Sequence, residues 1–570
     1  MTITSAAEAA EFLASTEDMY ALETSTIRGI EYKTFKNAAR HLGEFMAVCD
    51  EYGEAEFLIY ENERLTFNEF RQHTNRLANA LINECGVKPG DRVAIAMRNY
   101  PEYMMAMMAI TSIGAVVVFL NSWWTTDELE YGFSDSAAKL AFVDAPRAET
   151  MAPFAERMGI RQILVRGPET PGTTAYADLV AKASTDTPQV DIDTDDDMAV
   201  MYTSGSTGRP KGVVQTHRGA ISAVISWLMR GRIAEVLGTA PKPPTDDAGE
   251  PYQPCGLITT PMFHVSATHA CFLVALVSGA RLVMMFKWNA MEAVDIIERE
   301  HASRFFGVPT MSADLIEAAA KMGKSLDTLR TMEAGGAKRP AAQVAQIAKA
   351  VPNAQPSTGF GMTETNALGI GLRGADYIDR PGATGRLHPP LQEMKIVDDN
   401  GHEVPTGTIG ELTLKSAANM RCYLNKPEAT EEALKDGWLY TGDLAHVDAD
   451  GIVTIVDRKK DMIIRGGENI SCLEVDAALH MHPAIAEAAV FSMPDERLGE
   501  AVGACAQLKP SATLDEADLK AFLQEHLAAF KIPAQIWFRT DPLPRGGTEK
   551  TDRRALRTEC LGDTGSVVTA

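Results

Sequence analysis

The chain has 570 residues, 45% of them hydrophobic and 23% charged, and a formal net charge of −23. That length calls for two or more cores, and the composition is that of an ordinary folded protein, neither disordered nor fibrous. The acidic balance argues against nonspecific binding to a nucleic-acid backbone and requires any polyanionic ligand to find a local positive site.

Residues 1 to about 45 carry no strong pattern and read as an extension with a helix or two. Their opening, MTITSAAEAAEFLASTED, has no basic start before an apolar core, so no signal peptide is expected. From residue 65 the rhythm is α/β. LTFNEFRQHTNRLANALINE opens on a threonine cap and repeats apolar residues at helical spacing. KPGD turns into the buried strand RVAIAM; PEYMMAMMAITSIG is the next helix and AVVVFLN the next strand. Such alternation, punctuated by Gly and Pro, predicts a mostly parallel, helix-covered sheet. Residues 237–254, rich in Pro, Asp and Gly, read as a surface loop. The apolar stretch 270–286 is broken by Ser278, Gly279 and Arg281, and no run approaches the ~18 residues that span a bilayer.

Beyond residue 390 short strands meet at Asn400-Gly401 and Asp450-Gly451, both hairpin signals. Helices near 473–481 and 514–528 and a strand near 501–508 follow. The charged DRKKD run at 457–461 joins the two textures and marks a boundary between domains 1–457 and 458–570. Eight cysteines without a C-x-x-C pair suggest reduced thiols in a cytoplasmic protein.

Four segments carry chemistry. In AVMYTSGSTGRPKGVVQTHRG an apolar strand runs into Thr203, Ser204, Gly205, Ser206, Thr207, Gly208 and Lys211. Converging amides, hydroxyls and a lysine are what a polyphosphate needs, although the Walker A spacing is absent. In STGFGMTETN, Gly359 and Gly361 flank Phe360, whose ring could stack on a base, while Thr363 offers a hydroxyl and Glu364 a ligand for Mg²⁺. A strand followed by a polar loop accounts for that segment equally well. In YTGDLAHVDADGIVTIVDRKKDMIIRGGENIS, Asp443 could accept from two ribose hydroxyls and Arg458 could donate to ribose or phosphate. Asp448 and Asp450 faintly suggest a calcium loop, but a plain hairpin turn fits their spacing better. In DPLPRGGTEKTDRRALR, Lys550 sits on a Gly-rich segment followed by basic residues.

Taken together, TSGSTGRPKG, GFGMTE, YTGD, DRKKDMIIRGGENI and PRGGTEKTDRR resemble, in order and spacing, the adenylate-forming superfamily of acyl-CoA synthetases, firefly-type luciferases and peptide-synthetase adenylation domains. The resemblance spans residues 60–557 and lies nearest the fatty-acyl-CoA ligases. It implies a large N-terminal domain of helix-covered, mostly parallel sheets with a small β-barrel-like subdomain, and a mobile α+β C-terminal domain. It further implies an ATP- and Mg²⁺-dependent ligase that makes acyl-AMP and then acyl-CoA. Residues 203–211 would hold the β- and γ-phosphates, and Gly335, Gly336 and Ala337 would line the adenine and acyl pockets. Phe360 would stack on adenine, Thr363 touch the α-phosphate, Glu364 ligate Mg²⁺ and Asp443 bind ribose with help from Arg458. His264, in PMFHVSA, would stand beside the acyl carboxylate; a helix-start histidine with a purely structural part is the other reading. Lys550 would bridge carboxylate and α-phosphate. Rotation about Lys460 would withdraw Lys550 and present Gly466 and Gly467 to the thiol tunnel.

Three positions depart from the family pattern: Phe360 stands where Tyr is more usual, Ala267 replaces a common Gly, and Glu549 replaces the Gly before the lysine. Only 13 residues follow Arg557, so no fused carrier domain is expected and free CoA is the simplest acceptor. The segments expected to line the acyl pocket, 262–271, 305–310 and 357–362, are apolar or small and offer no clear cation for a second carboxylate. A medium- or long-chain or alicyclic acid is therefore expected. The alternatives are an aryl acid of cinnamate or benzoate type, an acyl-AMP ligase serving a separate carrier protein, luciferase-like oxygenation and, from another class, a catalytically silent binding protein. The expected partners are the acid, ATP and CoA; homodimers are common in the family.

Overall fold

The computed structural model describes residues 3–203, 209–547 and 550–562. The expected phosphate-loop residues Ser204, Gly205, Ser206, Thr207 and Gly208, and Glu549, lie outside these residues.

Two large sheets dominate. One has eight strands, with Asp197–Thr203, Val116–Phe119, Arg92–Ala96, Leu140–Val143, Arg161–Leu164 and Thr173–Ala175 side by side and parallel. The other has nine, with Gln355–Phe360, Thr331–Gly335, Arg304–Gly307, Cys255–Ile258, Arg281–Met284 and Glu56–Tyr60 parallel in that order and antiparallel strands at both edges. A strand buried on both faces serves two cores because its side chains alternate. Along Arg92–Ala96, Val93 and Ile95 join the core shared by both sheets, while Ala94 and Ala96 face Leu129, Phe133 and Phe154.

The helix Phe67–Asn83 begins where its sequence signals it. Thr66 accepts from the Glu69 amide at 3.1 Å, and the Glu69 carboxylate accepts from the Thr66 amide at 2.8 Å, satisfying two otherwise orphaned donors. Pro101 occupies the first turn of Pro101–Ser112, and Met104, Met105, Met107 and Met108 are all buried there as plain core. Among the described residues no helix is long and apolar enough to cross a membrane.

The N-terminal extension holds more than helices. After Ala6–Thr16 comes a hairpin, Leu22–Ile27 with Ile30–Phe35, turning at Arg28 and Gly29, both at positive φ. Its residues are largely polar and half exposed, which hides the alternation that would announce a strand pair.

Residues 393–458 form a small antiparallel sheet with tight turns at the predicted Asn-Gly pair, where Val397 bridges Glu403, and at the Asp-Gly pair, between Trp438–Val447 and Val453–Arg458. Asp448 caps its own turn by accepting from the amides of Asp450 and Ile452 at 2.9 Å, so the hairpin reading holds over a calcium loop. The chain turns at residues 459–461 and enters a final unit in which strands Ile463–Arg465, Glu468–Ile470, Ile485–Asp495, Gly499–Leu508 and Gln535–Arg539 pack against helices Cys472–His480 and Glu516–Gln524.

Candidate active site

A cavity of about 1640 Å³ opens where the small sheet and the final unit meet the carboxyl ends of strands from both large sheets. Thr203, Phe306, Gly335 and Phe360 all end or nearly end their strands in its wall. Carboxyl ends of parallel strands are the usual ligand site of α/β sheets, because the loops there diverge and leave a crevice.

Asp443 and Arg458 are cross-strand partners in the small sheet, with Nε 3.3 Å from Oδ1. Asp443 is buried, and its Oδ2 has no hydrogen-bond partner among the described residues. Burial pushes its carboxyl up to about 6, against the opposing pull of Arg458. An orphaned acceptor of this kind fits a ligand that brings hydroxyl donors, as a ribose does.

Glu364 is also buried. The Tyr423 hydroxyl donates to its Oε1 at 2.8 Å, and Lys211 Nζ lies 4.9 Å from the centre of the Tyr423 ring. Burial raises the Glu364 carboxyl despite the Tyr423 hydrogen bond. A single carboxylate beside a lysine and facing a cavity fits a magnesium ion that takes its remaining ligands from phosphate and water. Thr363 precedes Glu364 in one 3₁₀ turn, and its carbonyl accepts from Gln215 Nε2 at 2.9 Å.

Gly361 allows this turn to form. A Cβ there would stand 2.1 Å from the Ala367 carbonyl oxygen, and backbone cannot yield as a side chain can. Gly361→Ala should cost about 3 kcal/mol in urea unfolding by overpacking. Unchanged stability would refute that account.

Lys550 reaches the cavity from the final unit. Its loop is closed by the Gly546 amide donating to the Lys550 carbonyl at 2.8 Å, and Thr551 donates to Glu487 at 3.0 Å. Gly336, at φ +80°, makes room for the lysine: a Cβ there would lie 2.6 Å from Lys550 Cε and 3.1 Å from Nζ. Enclosure and then the Arg458 charge lower the ammonium to about 8, while Asp443 opposes them. His264 lines the same cavity and caps the helix that follows, its Nδ1 2.9 Å from Ser266 Oγ. Burial, with Lys550 adding, holds its imidazole at about 3, hence neutral. The capping part and the cavity position of His264 coexist. Lys460 is in the wall as well, its ammonium lowered chiefly by burial.

Not every expected residue converges here. Ala337 is exposed and absent from the wall, and Asp443, buried behind Arg458, does not line it either. Gly466 and Gly467 form an exposed hairpin tip at φ +61° and +91°, also outside it. In the other direction, the cavity is more polar than the expected lining segments suggest. Arg230, Arg304, Glu333, Arg373 and His388 all face it, correcting the expectation of a lining without a cation. Arg304 lies one residue before the segment 305–310, and Arg230 and Arg373 lie on a helix and a strand far from any motif. Tyr423 was likewise silent in the sequence, because only the pairing of Cys422–Tyr423 with Val213–Val214 brings it to Glu364.

The sequence matches the family of AMP-binding enzymes over residues 45–424 and the AMP-binding enzyme C-terminal domain over residues 474–550. A feruloyl-CoA synthase of Amycolatopsis sp is 33% identical over 494 residues, 86% of this chain and 93% of that protein. The fatty acid–acyl-carrier-protein ligase ScoC of Streptomyces coeruleorubidus is 32% identical over 521 residues, 89% of this chain and 93% of that one. Among solved structures, O-succinylbenzoate coenzyme A synthetase of Bacillus subtilis in complex with ATP and magnesium ion superposes with a TM-score of 0.75 at 28% identity, covering 90% of this chain and 98% of that one.

Proposed function

Because this chain belongs to the family of AMP-binding enzymes and is an AMP-forming acid–thiol ligase, we propose that it activates a carboxylic acid with a hydrophobic body, medium- or long-chain or alicyclic, and passes the acyl group to CoA. The acid carboxylate attacks the α-phosphorus of ATP, and the bond to the bridging oxygen breaks to release pyrophosphate. The acyl-AMP formed is a mixed anhydride, so AMP is a good leaving group when the thiolate of CoA attacks the acyl carbon.

The observation that carries this reading is Lys550, lodged against Gly336 in a cavity shared with Arg458 and His264, with Asp443 paired to Arg458 just behind the wall. Two anions must meet for the first step, and a cation fixed between them lowers the barrier without reorganisation. Asp443 would accept from the ribose hydroxyls, Phe360 would stack on adenine with Gly335 beside it, and Arg458 would face the α-phosphate. Lys211, with residues 203–208, would face the outer phosphates. A magnesium ion held at Glu364 would supply further charge neutralisation on the departing pyrophosphate. Neutral His264 can approach the acyl carboxylate as a hydrogen-bond partner without adding charge. The exposed Gly466–Gly467 tip suits a hinge at Lys460, between domains 1–457 and 458–570, that exchanges this hairpin for the Lys550 loop before thiol attack. Eight free cysteines fit a cytoplasmic setting.

The test is incubation with ATP, Mg²⁺ and a panel of aliphatic, alicyclic and aryl acids, with and without CoA, followed by mass spectrometry. Acyl-CoA and AMP are expected. Acyl-AMP that persists in the presence of CoA would reassign the acceptor to a carrier protein. ATP binding with no product from any acid would overturn the reading.

A further inference from the structure

The cavity has a charged region that the chemistry of adenylation does not use. Arg230 comes from the helix His217–Val236, Arg304 opens the strand Arg304–Gly307, and Arg373 ends Ile370–Arg373. Glu333 lies on Thr331–Gly335, in register with Phe306. His388, buried, lies beside Arg230. Arg304 pairs with Glu333 at 2.9 Å, and Arg230 Nη1 lies 3.4 Å from His388 Nε2. All five side chains line the cavity that contains His264 and Lys550.

The charges do not balance. Guanidinium groups keep their proton in proteins, so among the described residues three positive charges stand against one carboxylate. His388 supplies no counter-charge: burial, with Arg230 and Arg373 adding, keeps its imidazole well below the usual range. Arg304 Nε is buried without a hydrogen-bond partner among the described residues. Enclosure and then Arg373 pull Arg230 down to about 10, burial also lowers Arg373, and against its own burial Arg304 is held up chiefly by Glu333. Excess cations in an enclosed space are costly unless an anion joins them, and bidentate donors of this geometry suit a carboxylate. The same cavity is lined by Cys271, Val274 and Leu282, which suit a hydrocarbon.

Resting on the ligase reading above, we propose that the Arg230–Arg304–Arg373 cluster binds a second carboxylate at the far end of the acyl substrate, so that the enzyme activates one carboxyl of a dicarboxylic acid with a hydrophobic spacer. Lys550 and His264 serve the reacting carboxyl, and the cluster serves the other. The polar cluster then sets specificity, because a monoacid of equal length leaves its cations uncompensated.

The test measures pyrophosphate release for straight-chain and aromatic diacids, their methyl half-esters and the matching monoacids. It compares wild type with Arg230→Gln, Arg373→Gln and Arg230→Lys. At the best spacer length kcat/KM for the diacid should exceed that for the monoacid roughly a hundredfold. Each Gln variant should cut that ratio roughly tenfold, mainly through KM, and Arg230→Lys should keep part of it. The ratio is taken within each variant, so partial loss of folded protein cancels. Monoacids equal to diacids at every length, with pyrophosphate still released, would overturn this inference and leave the ligase reading standing. Half-esters equal to diacids would overturn the assignment of an anion. No pyrophosphate from any acid would overturn the ligase reading, and this inference with it.

Discussion

Lys550→Ala is expected to slow acyl-AMP formation roughly a thousandfold while thioester formation from preformed acyl-AMP stays near the wild-type rate. The asymmetry follows from charge. Adenylation brings a carboxylate onto a polyanion, and Lys550 is the cation beside Gly336 in the cavity wall. Thiol attack on a mixed anhydride needs no such cation, because the leaving group is already activated. The pH profile supplies a second readout. Enclosure lowers the Lys550 ammonium to about 8, so its charge is present at neutral pH and lost as pH rises through that value. Adenylation by the wild type should therefore fall above about pH 8, and that falling limb should be missing in Lys550→Ala. Equal loss in both half-reactions would show that the lysine acts on structure rather than on the first step. Glu549 lies outside the described residues, and its influence on Lys550 would enter the same profile as a shift of the limb.

Glu364→Gln should reduce adenylation roughly a hundredfold and raise the Mg²⁺ concentration needed for half-maximal rate. It should do so without lowering the melting temperature. Glutamine keeps an oxygen for the Tyr423 hydroxyl, which donates to Glu364 at 2.8 Å, but removes the charge that faces the cavity. The sign of the stability effect comes from burial. A carboxyl whose folded pKa is raised holds its proton more tightly in the folded state, so its stabilising contribution is present at low pH and lost as pH rises through the unfolded and then the folded value. Wherever Glu364 is ionised it is thus a cost to the fold, retained for what it binds. Rates measured across a Mg²⁺ titration, with calorimetry alongside, separate the two effects. A fall in melting temperature with an unchanged Mg²⁺ requirement would contradict the assignment.

Much of the fold was legible because its signals are local. The Thr66–Glu69 capping box, Pro101 at the head of a methionine-rich helix and the Asn-Gly and Asp-Gly turns each act within a few residues, and each stands where the sequence places it. The hairpin Leu22–Ile27/Ile30–Phe35 was not legible, since half-exposed polar strands carry no period-two pattern. The same division holds at the site. Contiguous motifs put Lys211, Glu364, Asp443 and Arg458 forward as candidates, whereas Lys550, a solvated tail on its own, is singled out only when the motifs are read together as a family resemblance. What only the tertiary structure decided is how separate elements meet. Tyr423 reaches Glu364 through a two-residue strand, Gly336 yields its side-chain space to Lys550, and Arg230, Arg304 and Arg373 converge from a helix and two strands. No local pattern encodes that convergence, because each arginine alone is an ordinary surface residue type, and only the shared cavity turns three of them into an unbalanced charge.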